Sequence, residues 1–222
     1  MSVVKILLVI ACIIVYICVS HGALVADDVH SIWRQVAMSM LLLPIAGIAC
    51  WVAVAFLKRL GLCVMWRCLC GIALAIALVT MIVHFWPILL SRLDRIYLVE
   101  HIATNMMLCW FFAHTLFGGR TPIITTLARS IHPDIPDNVV RYTRTVTLAW
   151  ALFFVVQILL SLLIYYAAPI SAWSLFANVL NWPLVILMFA AEYACRKRVN
   201  PDFQHATVKE SVAAYFNNKR KV

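Results

Sequence analysis

Glu100 and His101 stand side by side in an otherwise apolar stretch, with His84 upstream and Asn105 about one turn further on. A carboxyl group held out of water beside an imidazole can relay protons, orient a hydroxyl or act as a base. On a helix that turns roughly 100° per residue, Glu100, Thr104, His114 and Thr115 share one side, with His101 and Asn105 adjoining. An arc of that width is expected to face other helices or water. His84, Glu100 and His101 are expected at one depth, near the outer ends of their helices. A contact from Glu100 to His84 or His101 follows, with Asn178 and Asn181 as further donors. The plainer reading is a hydrogen-bonded cluster that fixes the register of neighbouring helices.

A second group is basic: Arg120, Arg129, Arg141 and Arg144 fall within one polar stretch. They can hold the phosphate or carboxylate of a lipid or of a carrier-bound acyl chain, or can simply follow the preference of basic residues for the cytoplasmic side. No Gly-rich phosphate loop, G-x-S-x-G or H-E-x-x-H occurs. The sequence therefore identifies no catalytic set and no cofactor. Cys68-Leu69-Cys70 lacks the C-x2-C spacing of a zinc site, so no metal is expected, and the eight cysteines read as small buried apolar residues.

Composition fixes the solvent around the elements that carry these groups. Hydrophobic residues make up 65% of the 222 and charged residues 12%, where a soluble domain has about a quarter charged. The net charge of +9 comes from residues placed between and after apolar runs, which excludes a nucleic-acid-binding surface. A bilayer-crossing helix needs about 20 apolar residues. Six segments approach that: Val3 to Val25, Val36 to Leu57, Cys68 to Leu90, Ile96 to Phe117, Thr145 to Ala168 and Ile170 to Ala194. Lipid demands that backbone groups pair within each segment, so the expectation is an all-α, multi-pass helical bundle over residues 1–198.

Pro44, Pro87 and Pro183 predict kinks. The connection at about 118–144 is long enough for structure of its own. Thr121-Pro122 predicts a helix start with Pro122 in the first helical position. Pro133 and Pro136 then force a turn, and Asp137 or Asn138 is expected to cap a helix running into the fifth span. Glu192 and Arg196 are spaced to pair on the last span. In residues 199–222, Thr207-Val208-Lys209-Glu210 matches a capping box, and a short amphipathic helix is expected at the cytoplasmic membrane surface.

With the amino terminus inside, 15 of the 18 lysines and arginines fall on the cytoplasmic side, and only Arg34, Arg92 and Arg95 lie outside. Both termini are then cytoplasmic. Lys5 followed by the apolar run from Ile6 to Val19, with Ser20 and Gly22 as small residues, also describes a cleaved signal peptide, which would leave five spans. Apolar residues resume through Val25 and His21 is an awkward neighbour for cleavage, so the reading adopted is a retained first helix.

The second half of the chain carries a resemblance. Gly119-Arg120-Thr121-Pro122, Leu127-Ala128-Arg129, Arg141-Tyr142-Thr143-Arg144 leading into Val146-Thr147-Leu148-Ala149-Trp150, and Trp173-Ser174-Leu175-Phe176-Ala177-Asn178 resemble a family of small bacterial inner-membrane proteins. That family is associated with aryl-polyene and xanthomonadin-type pigment lipid biosynthesis. The resemblance implies an inner-membrane location, membrane lipids as partners and acyl-carrier or lipid-synthesis proteins as cytoplasmic neighbours. It carries over no catalytic residues. Three functions remain open: a non-catalytic accessory or scaffold for acyl or polyene lipid synthesis, a transporter of a lipid-like substrate that a homo-oligomer could complete, and an intramembrane lipid-modifying enzyme.

Overall fold

The computed structural model describes residues 3–59, 61, 63–131 and 133–199, all of their regular structure helical. The expected tail helix lies outside the described residues. In chain order the helices are α1 (Val3–Val25), α2 (Ile32–Arg59), α3 (Val64–Ser91), α4 (Leu93–Ala113), α5 (Ile123–Ile131), α6 (Asp137–Ala167), α7 (Ile170–Ser174) and α8 (Asn181–Val199). A 3-10 turn, His114–Leu116, ends α4, and a π-helix, Leu175–Leu180, joins α7 to α8.

Five helical stretches among the described residues are long and apolar enough to cross a membrane: Ile32–Arg59, Val64–Ser91, Leu93–Leu116, Asp137–Ala167 and Ile170–Val199. The 23 residues of α1 extend about 34 Å at the α-helical rise. Each expected segment is helical; α2 and α3 run past their apolar runs at both ends, α4 and α6 start before theirs, and α8 ends beyond the last.

Helix α6 shows which solvent the fold is built for. Its buried stripe recurs every three or four residues through Thr143, Thr147, Trp150, Phe154, Gln157 and Ser161. Its outer face carries exposed Leu148, Leu152, Val156, Leu159 and Leu163. A helix in water hides leucine and shows glutamine. Here the amide and hydroxyls are inside and the leucines outside, as expected where lipid surrounds the protein and polar groups have only one another as partners.

The chain divides into two compact units. The first runs up to Leu98 and takes in Pro169–Val179. Within it α1 packs against α2 and α7, and α2 packs against α3. One face of the carboxyl end of α1 is enclosed: Ser20, Ala23 and Leu24 are buried. Arg34 of α2 donates to Leu90 O at 3.2 Å and Ala26 O at 3.3 Å, at the ends of α3 and α1. A helix carboxyl end presents about half a negative charge, so two of them offset one guanidinium without a carboxylate.

The second unit holds Val99–Ala168 and continues from Leu180. Its core is Val146, Trp150 and Phe154, packed by Phe112 of α4, Ile124 of α5 and Val185 and Met188 of α8. The Trp150 ring stacks on Phe112 with centroids 5.8 Å apart and meets Phe189 at 4.6 Å. Gly118 and Gly119 both have positive φ, a conformation glycine adopts without the steric cost of a Cβ, and they turn the chain from α4 toward α5.

Three local expectations are corrected. Helix α5 begins at Ile123, with Pro122 O accepting the amide of Thr126, so the proline sits one position ahead of the helix. Pro136, and neither Asp137 nor Asn138, occupies the cap of α6, and no side chain bonds there; proline fixes the extended backbone that starts the helix. The eight cysteines are free and none is fully buried: six are exposed, Cys50 is half-buried, and Cys109 packs half-buried against the Trp150 core.

Candidate functional site

In the first unit, His84 is exposed on α3 with its ring edge-on to Phe85 at 4.9 Å. Asn178 is buried in the π-helix and donates its amide to Ser174 Oγ at 3.2 Å. Ser174 Oγ also meets His21 Nδ1 at 2.9 Å. One residue earlier on α1, Ser20 Oγ pairs with Tyr97 OH of α4 at 3.1 Å. Adjacent residues of α1 thus hold the start of α4 and α7.

In the second unit, the polar arc of α4 is divided. His101, Asn105 and Thr115 are buried, whereas Glu100 and Thr104 are exposed. Asn105 turns back on its own helix and donates to His101 O at 2.8 Å. Glu100 makes no hydrogen bond or ion pair among the described residues. Thr115 donates to Phe112 O at 2.8 Å and accepts the amide of Ile123 at 3.2 Å. It therefore satisfies one of the unpaired amides that open α5.

The basic group lies around α5 and the start of α6. Arg120, Arg129, Arg141 and Arg144 are all exposed. Arg144 donates to Leu116 O at 3.3 Å, at the end of the α4 span. None of the four forms a salt bridge among the described residues, where the one ion pair is Arg196 with Glu192 at 2.7 Å. That pair is the expected one on α8, and Tyr142 OH donates to Glu192 O at 3.2 Å, joining α6 to α8 on the same level. Helix α5 is fastened beneath the arginines by Thr125 and Thr143, 2.7 Å apart. Thr143 gives its own proton to Val140 O at 3.0 Å, which makes Thr125 the donor.

No protein-family model, curated protein or solved structure matches this chain.

Sequence reasoning overlooked the contact between Gln157 and Asn181 in the middle of α6. Gln157 is 1% exposed and donates its amide to Asn181 Oδ1 at 3.0 Å. An amide in the centre of an apolar run, in phase with Thr143, Thr147 and Ser161, was the available signal. It also overlooked the contacts of Ser20, His21, Tyr97 and Ser174, which depend on partners 77 and 153 residues away.

Proposed function

We propose that this is a multi-pass protein of the bacterial inner membrane, with both termini cytoplasmic, that assists acyl or polyene lipid synthesis without catalysing a step of it. The observation that supports this most directly is the group Arg120, Arg129, Arg141 and Arg144, exposed and free of carboxylate partners among the described residues. Guanidinium groups left this way suit phosphate or carboxylate oxygens bidentately. Lipid headgroups and the phosphate arm of an acyl carrier both present them. Retention of α1 as a sixth span is supported by the burial of Ser20, Ala23 and Leu24 and by the bonds of Ser20 and His21.

The test replaces Arg141 and Arg144 together with alanine in cells that make the lipid product. Product should fall while the amount of inserted protein is unchanged. Normal product from a well-inserted variant would remove the proposal. A second reading, transport of a lipid-like substrate, is favoured by one observation: the last span is interrupted within the membrane by a π-helix that contains Asn178 and is followed directly by Asn181. Broken helices with polar groups at the break are typical of transporter sites.

A further inference from the structure

We infer that the π-helix Leu175–Leu180 is a hinge that divides the last membrane span into two independently anchored rods. This goes beyond the proposed function and does not depend on it. The physical cause lies three residues past the segment. Pro183 has no amide hydrogen to give Val179 O, and its ring crowds that carbonyl. An α-helix can respond with a bend or by widening its turn; here the chain takes the wider i to i+5 pattern over six residues. Loosened backbone hydrogen bonding in the middle of a helix lowers the resistance to bending at that point.

The anchoring of the two rods makes the π-helix more than an irregularity. The outer rod, α7 with the π-helix as far as Val179, belongs to the first unit, and the inner rod, Leu180 with α8, to the second. Ser174 fixes the outer rod to α1 through His21 at 2.9 Å. Asn181 fixes the inner rod to α6 through Gln157 at 3.0 Å. Asn178, between them, bonds to Ser174 on its own side of the boundary. Each rod is therefore tied sideways to a different helix, and the segment between the ties is the one with weakened backbone bonding. Bending there requires neither tie to break.

The experiment places spin labels, as unnatural amino acids so that the eight cysteines stay, at exposed Ser171 and Ala190 of the full chain in lipid nanodiscs. On a straight helix these positions would stand about 28 Å apart. A control pair at Leu148 and Leu163 spans α6, which has no internal proline. The hinge predicts a distance distribution for the 171/190 pair that is broader than the control. Pro183→Ala should narrow it to the control width, and Asn181→Leu, which cuts the inner tie, should broaden it further. A wild-type distribution as narrow as the control, even at a shortened distance, would mean a fixed bend and would overturn the hinge. So would a folded Pro183→Ala protein with unchanged width. If Pro183→Ala does not insert, Asn181→Leu decides: no broadening overturns the inference.

Discussion

Replacing Gln157 with leucine isolates one interhelical hydrogen bond at the level farthest from water. Gln157 lies about midway along the Thr145–Ala168 apolar run and is almost completely enclosed. The leucine side chain is of similar size, so packing changes little. What changes is Asn181, whose Oδ1 loses its donor where no water can replace it. Hydrogen bonds between membrane helices average about 0.6 kcal/mol and reach about 1.7. A buried amide in mid-bilayer belongs at the upper end of that range, so Gln157→Leu should cost about 1–2 kcal/mol. That is about 5- to 30-fold in the unfolding equilibrium. Asn181→Leu should cost a similar amount by stranding the glutamine. The double variant should cost less than the sum, because it strands neither partner. The assay is reversible unfolding in mixed micelles or by steric trapping, run as a double-mutant cycle. A coupling within about 0.3 kcal/mol of zero is simple additivity and would refute the bond as a contributor.

Trp150→Ala should destabilise the second unit by about 2–3 kcal/mol, below the soluble-protein range, because lipid offers the lost side chain no transfer penalty and only the cavity remains; the same unfolding assay reads it. Arg34→Gln should loosen the first unit by about 1 kcal/mol through loss of charge at two helix ends, and a loss no larger than that of an exposed Arg92→Gln control would count against the clamp. Tyr97→Phe strands the Ser20 hydroxyl and should cost about 1 kcal/mol; a paired Ser20→Ala, Tyr97→Phe variant should recover part of it, and no recovery would exclude the hydrogen bond. Arg141→Ala with Arg144→Ala should weaken binding to nanodiscs of anionic lipid and leave neutral nanodiscs unaffected, with equal loss in both refuting a phosphate role.

The helices could be read from the sequence because lipid imposes a severe rule: a long apolar run has few alternatives to a helix. The arginine-lined connection was also legible, since Pro122 and Pro136 mark where helices can begin. Side-chain partners were harder to read. Helical phase placed Glu100 beside His101, yet the two faces differ, and Glu100 is exposed while His101 is buried. Phase says which residues share a side, but it does not say which side meets another helix. Pro183 predicts a disturbed helix, and the disturbance takes the form of a π-helix at Leu175–Leu180, which residue types alone do not announce. His21 looked like punctuation near a leader peptide, whereas its contact with Ser174 required knowing that α7 returns to α1.

That contact also bears on the order in which the protein is made. His21 emerges from the ribosome 153 residues before Ser174. At ordinary synthesis rates the wait is about 8–30 s. For that interval α1 sits in the bilayer without one of its final neighbours, its imidazole open to whatever else can bond it, while the Ser20 hydroxyl waits only for Tyr97, 77 residues on. The contact between α1 and α7 therefore closes only after every helix between them has been made, and a chain stalled before Ser174 would leave His21 without this partner.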